Sequence, residues 1–230
     1  MVVATQDNLP PFEYETSRGV IGYDNELLLG LRQISGLKIR QEVVPLCAIV
    51  PGLASGKYDV AVTALAVTPA QALRVSFTTP VADTTLSYIK LKDDRSIARP
   101  RDLQGKTVGI QKCSGFAASL SSAAFPGTKH GTRPGKVVEY DSHAEAYEDL
   151  VRGRLDAVLG NGASLARMAR ETSGLFETGT VTSTNVHVAW AVEKGNRSLL
   201  EFLNDYIARQ RTNGALSRLQ LKYDLLGNGS

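Results

Sequence analysis

Short apolar runs alternate along the chain with stretches in which apolar residues recur at helical spacing. Val2 to Thr5 reads as a buried strand, and Asn8-Leu9-Pro10-Pro11 breaks it into a loop because consecutive prolines supply no ladder donors. From Asp24, placed as an N-cap, Leu27, Leu28, Leu31 and Ile34 follow at helical spacing up to Gly36, where a left-handed cap is expected. Lys38 to Val44 then reads as a second strand, parallel to the first if the helix between them is a right-handed crossover. The opening is thus a βαβ unit.

The same alternation continues. Ile49 to Ser55 predicts a short helix ended by Gly56, Tyr58 to Val62 a buried strand, and Thr68-Pro69 another helix start. Lys106 to Ile110 predicts a strand whose continuation, Cys113-Ser114-Gly115-Phe116, opens an Ala/Ser/Leu helix. Leu155 to Leu159 enters Gly160-Asn161-Gly162 and a helix through Ala163 to Arg170. Strands alternating with helices predict parallel sheets with sites at the strand C-terminal ends, which selects loops 6–12, 63–71, 111–116 and 160–163. Two breaks suggest domain borders: the charge cluster Lys92-Asp93-Asp94-Arg95 ahead of Arg99-Pro100, and the Thr- and Gly-rich stretch Thr178 to Asn185. The segment between them is long enough to fold alone. Ser198 to Arg211 carries Leu199, Leu203, Tyr206 and Ile207 on one helical face, which is expected to pack back on the first domain.

Composition narrows the classes. With 43% hydrophobic and 21% charged residues in 230, the chain is a soluble globular protein of one large or two small cores, and neither disordered nor collagen-like. A net charge of +3 without long like-charge blocks leaves no nucleic-acid footprint. Apolar stretches such as Leu27-Leu28-Leu29 fall far short of the ~20 residues that span a bilayer, so no membrane insertion is expected. No basic segment followed by an apolar one precedes Val2, so the protein is either cytosolic or has lost a leader. Cys47 and Cys113 are too few for a disulfide scaffold and lack metal-ligand spacing; the default is two unrelated thiols, a bridge being the alternative. No metal and no cofactor is expected.

Several stretches, in order and across essentially the whole chain, resemble the periplasmic solute-binding proteins of the polar amino-acid uptake family, receptors of ABC importers. They are Pro10-Pro11-Phe12-Glu13 with Gly22-Tyr23-Asp24, Pro51-Gly52-Leu53 leading to Gly56-Lys57-Tyr58-Asp59, and Thr68-Pro69 with Val75-Ser76-Phe77-Thr78. The second half adds Asp102-Leu103-Gln104-Gly105-Lys106-Thr107-Val108-Gly109 and Gly153-Arg154-Leu155-Asp156-Ala157. The resemblance implies an α/β fold of the periplasmic-binding-protein type II class, with two lobes joined by two crossover strands. Lobe 1 would comprise residues 1–86 and 186–230, and lobe 2 residues 87–185. It further implies a monomer in the periplasm with its leader removed, a membrane permease as partner, and a small-molecule ligand captured between the lobes by hinge closure.

Two positions depart from the family pattern. Where its members carry an Arg that grips an amino acid's carboxylate, this chain has Gln71; where they carry an acid that pairs with the ammonium, it has Asn161. Both anchors are neutral amides. Leu9 and Leu46 align with positions often aromatic, and Thr63-Ala64-Leu65-Ala66 has fewer hydroxyls than usual. Lys112, Cys113, Ser114, Gly115 and Phe116 match the element whose backbone N–H groups receive an oxygen at a helix start. The candidate ligand-binding set is therefore Asp7, Asn8, Phe12, Leu46, Thr63, Ala64, Leu65, Gln71, Lys112, Cys113, Ser114, Gly115, Phe116 and Asn161. Plainer readings stand beside several of these: Asp7 as a turn former, Lys112 as an exposed loop lysine, Ser114 as a cap only, Phe116 as helix core. Arg74 reads as solvated, His187 as a satisfied strand histidine, and His130 and His143 as residues of polar loops.

The expected solute is a small polar organic molecule, amino-acid-like or an amino-acid derivative, and not a standard free α-amino acid. The alternatives are a cyclohexadienyl-dehydratase-like enzyme on the same fold and the sensing domain of a signalling receptor. No catalytic residue is assigned, since Asp7, Lys112 and Cys113 form no recognisable acid–base or nucleophile arrangement.

Overall fold

The crossover rule that pairs a strand with its successor through a helix governs both halves of this chain. A computed structural model describes residues 1–17, 19–120, 133–182 and 185–225; His130 lies outside them. In chain order the elements begin β1 (Val2–Gln6), β2 (Asn8–Leu9), β3 (Glu13–Thr16), β4 (Gly19–Ile21), α1 (Tyr23–Ser35), β5 (Arg40–Val44), α2 (Leu46–Ala54) and β6 (Val60–Ala66). There follow α3 (Pro69–Ala72), β7 (Val75–Phe77), β8 (Ala82–Thr84), β9 (Leu86–Leu91), β10 (Thr107–Gln111), α4 (Gly115–Leu120), β11 (Lys136–Tyr140) and α5 (His143–Val151). The last are β12 (Ala157–Asn161), α6 (Gly162–Glu171), β13 (Phe176–Thr180), β14 (Val186–Glu193), α7 (Arg197–Thr212) and α8 (Ala215–Lys222). The chain divides into two compact units, one of Met1–Asp83 with the chain from His187 onward, the other Thr84–Val186. The fold is the type II class expected.

The main sheet of the first unit runs β5-β1-β6-β14-β7. Strand β1 is parallel to β5, with Val2 opposite Arg40 and Gln6 opposite Val44, and parallel to β6 on its other side. β14 is antiparallel to both β6 and β7. Val3 and Ala4 point to opposite faces and neither is exposed, because helices cover the sheet on both sides. Against one face lie Ile49 and Leu53 of α2, together with Tyr58, Ala61 and Leu65. Helix α1 buries Leu27, Leu28 and Leu31, whereas Ile34, expected on the same stripe, is 59% exposed in the last turn. Asp24 is not the N-cap: α1 starts at Tyr23 behind Gly22, whose φ of 122° and close approach to the Phe12 carbonyl leave no room for a Cβ. The stretch read as a loop at 8–11 contains β2, which joins β3 and β4 in a small antiparallel sheet. From α7, the Tyr206 hydroxyl donates to the Leu27 carbonyl at 2.6 Å, and its ring stacks on Trp190.

The second unit has the sheet order β11-β10-β12-β9-β13. The first three strands are parallel; β9 runs antiparallel to β12 and β13. Ile89, Val158, Leu165, Leu150 and Phe176 pack into one core with Ala146 and Tyr147. Ser142 and Glu145 form a capping box at the start of α5. His143, expected in a polar loop, is the first residue of that helix, and its ring stacks on Tyr147. Burial holds its imidazole down at about 4. The two cysteines are also not the unrelated thiols expected, since neither Cys47 nor Cys113 is free.

Candidate ligand-binding site

In each unit the candidate residues gather at the C-terminal ends of parallel strands. In the first unit, Asp7 and Asn8 follow β1, Leu46 opens α2 after β5, and Gln71 lies in α3 after β6. Asp7 and Asn8 are exposed, and the Asp7 carboxylate accepts the N–H of its neighbour Asn8 at 2.9 Å. Leu46 is buried in the core beside Ile49 and Leu53. Thr63, Ala64 and Leu65 lie within β6, which runs four residues past the predicted strand end to Ala66. Gln71 is buried in a short helix capped by Thr68, whose hydroxyl accepts the Gln71 backbone N–H at 3.3 Å. Arg74 is exposed, as read.

Phe12 is wholly buried, its ring edge-on to Tyr23 with centroids 6.2 Å apart. Thr63 donates its hydroxyl to Glu13, and Glu13 belongs to a buried polar group that sequence reasoning missed. Neither Glu13 nor Asp24 has any exposed surface. The Trp190 indole N–H donates to Asp24 Oδ1 at 2.7 Å. Burial raises both acids; Asp24 reaches about 6, and Glu13 stands well above the usual carboxylate range with the charge of Asp24 beside it. The raised titration range of Glu13 favours a proton shared from Glu13 to Asp24, and Glu13 Oε2 and Asp24 Oδ2 are buried with no other partner among the described residues. No local signal announces such a group, because its members come from β3, α1 and β14.

In the second unit, Lys112 pairs with Asp141 at 3.1 Å in an exposed ion pair. Cys113 adopts a positive φ of 60° at the turn out of β10. The Ser114 hydroxyl donates to the Gln111 carbonyl at 2.8 Å and accepts the Ala117 N–H at 3.1 Å, as a cap of α4 does. Gly115 is the first residue of α4, and Phe116 is buried. Asn161 ends β12 and caps α6: its Oδ1 accepts from Ala163 N at 3.0 Å, Ser164 N at 3.4 Å and the Thr84 hydroxyl at 2.8 Å.

Among the described residues, no cluster of acidic, histidine or cysteine side chains could hold a metal ion, and no helix is long and apolar enough to cross a membrane. Residues 1–226 match the family of bacterial extracellular solute-binding proteins, family 3. The chain belongs to that family. Among curated relatives, ABC transporter arginine-binding protein 1 of Escherichia coli (strain K12) is 28% identical over 215 residues, covering 91% of this chain and 84% of its own. An ancestral arginine-binding protein bound to glutamine superposes with a TM-score of 0.85 at 26% identity, over 96% of each chain. An ancestral amino acid-binding protein described as a precursor of cyclohexadienyl dehydratase reaches 0.83 at 23% identity, over 97% of this chain and 94% of its own. At that identity the likeness is one of fold. This member is thus a solute-binding receptor of the amino-acid ABC transport class.

Proposed function

We propose that the protein is the periplasmic receptor of an ABC importer, a monomer that captures a small polar organic solute by hinge closure and hands it to a membrane permease. The solute is an amino-acid derivative or a related acid, and not a standard free α-amino acid. The observation that carries this reading is the pair of neutral amides, Gln71 at the strand ends of the first unit and Asn161 at those of the second. A zwitterion enclosed by these residues would give up hydration at both charges and recover neutral hydrogen bonds, each about half as strong as a charge-assisted one. The curated relatives named for arginine, histidine and cystine support an amino-acid-like frame for the solute.

Calorimetry against the standard L-amino acids, followed by a thermal-shift screen of N-acylated amino acids, amides, opine-like conjugates and sulfonates, tests the proposal. None of the standard amino acids is expected to bind at micromolar affinity or tighter, and a member of the second group is expected to raise Tm. Micromolar binding of any standard amino acid would overturn the choice of solute.

A further inference from the structure

We propose that the start of α6 is a hydrogen-bond-donating subsite, so that the solute group held there is an acceptor oxygen, of a carboxylate or carbonyl, and not an ammonium. This rests on the receptor reading and adds the polarity of one of its contacts. The backbone N–H groups of Ala163 and Ser164 converge on a single side-chain atom of Asn161, which assigns that atom as the amide oxygen. Thr84 adds its hydroxyl to the same oxygen. With that oxygen committed, the group Asn161 has left to offer is its Nδ2, a donor only. Among the described residues nothing accepts from Nδ2, although the side chain is 95% buried, being only 5% exposed.

A second polar group lies in the same turn. The hydroxyl of Ser164, in the first turn of α6, is buried without a hydrogen-bond partner among the described residues. The amide N–H₂ of a residue only 5% exposed and a buried hydroxyl thus sit at the positive end of a 10-residue helix. The position suits a ligand: β12 is parallel to β10 and antiparallel to β9, and Asn161 is at its C-terminal end, where strand direction changes in the sheet. Asn161 Nδ2 has only hydrogens to offer, which an ammonium cannot accept and the lone pairs of an oxygen can; the Ser164 hydroxyl, donor and acceptor alike, serves either group.

The chain itself supplies clean variants. Asn161→Asp keeps the oxygen that caps α6 and replaces the Nδ2 donor with a charged acceptor. Asn161→Ser also keeps a capping oxygen but removes the Nδ2 amide, leaving one hydroxyl hydrogen on a shorter side chain. The intact protein and both variants are titrated by calorimetry with matched pairs that differ in an ammonium against an oxygen: L-alanine and pyruvate, L-leucine and 4-methyl-2-oxopentanoate, L-glutamate and 2-oxoglutarate. In at least one pair the unaltered protein is expected to favour the 2-oxo acid by about tenfold or more; Asn161→Ser should lose about tenfold for it, and Asn161→Asp should reverse the preference. If Asn161→Asp folds and ranks the pairs as the unaltered protein does, the subsite is overturned while the receptor reading stands; if it does not fold, Asn161→Ser decides, an unchanged affinity overturning the subsite. A preference of the unaltered protein for the amino acids overturns it too. Binding of none of these compounds to any of the three proteins overturns the subsite, while the amino-acid-like solute stands or falls with the wider thermal-shift screen.

Discussion

Trp190 and Asp24, on β14 and α1, meet in a 2.7 Å hydrogen bond from which solvent is wholly excluded. The indole N–H is the neutral donor that steadies this carboxylate against desolvation. Trp190→Phe keeps most of the apolar surface and removes the donor, so it is expected to destabilise the first unit by on the order of 2–3 kcal/mol in urea unfolding. Combining it with Asp24→Asn should recover part of the loss; strict additivity would show that the bond contributes nothing of its own.

The buried acids dictate how stability follows pH. Burial raises both Asp24, to about 6, and Glu13, so the folded chain holds protons that the unfolded chain releases near pH ~4. Their contribution is complete below that value and is lost as pH rises through about 6 for Asp24 and through the raised range of Glu13. Glu13→Gln keeps a permanent donor toward Asp24 and does not titrate. The variant is expected to gain Tm relative to the unaltered protein as pH is raised from 4 to 8; a pH-independent gap between the two melting curves would count against the shared proton.

His143 acts with the opposite sign in the second unit. Held neutral down to about 4 by burial, it contributes stability above the ordinary histidine range, and this is lost as pH falls from about 6.5 toward 4. His143→Phe preserves the stack on Tyr147 and should flatten the acid limb of unfolding followed in this unit by amide hydrogen exchange.

Gly30, inside α1, faces the Tyr206 hydroxyl, which would lie 2.6 Å from a Cβ at that position. Gly30→Ala should therefore destabilise the protein even though alanine is favoured over glycine by ~1 kcal/mol within a helix. In a Tyr206→Phe background the same substitution should become stabilising, which thermal melts of the four combinations will read directly.

Lys90 separates stem from charge. Its side chain is only 5% exposed, while Nζ reaches the Asp94 carbonyl at 2.9 Å and Glu177 at 3.0 Å. Lys90→Met retains the stem and should stay within about 1 kcal/mol of the unaltered protein, whereas Lys90→Ala should cost about 2–3 kcal/mol. Equal losses in chemical denaturation would assign the stability to the charge instead.

The long periodic elements were legible in the sequence. β1, α1, β5, α6 and α7 appear within a few residues of expectation, and Gly36 takes the left-handed cap its position predicted, with φ of 65°. β2, β3 and β4 were not, since strands of two to four residues are too short to show a period of two. β13 was missed too, its end running into the Thr- and Gly-rich break read from Thr178, because its pairing with β9 overrides weak strand propensity. At the site, the loops after the parallel strands could be picked out, but the commitments of their polar atoms could not. Ser114 and Asn161 read alike as helix-start residues; only coordinates show Ser114 spending both roles of its hydroxyl on the backbone while Asn161 keeps its amide hydrogens.

The discontinuity of the first unit has a consequence for the ribosome. β14 lies between β6 and β7 and is antiparallel to both, so that sheet stays open along this seam until residue 193 has left the exit tunnel. Thr84–Val186, by contrast, is contiguous and has all the strands described for its sheet once β13 has been synthesised. Although synthesis proceeds from the amino terminus, the unit begun second is the one able to complete its sheet first. Until β14 arrives, β6 carries an unpaired edge rich in Val and Ala, which makes the interval between residues 66 and 193 the period in which the nascent chain is most open to mispairing.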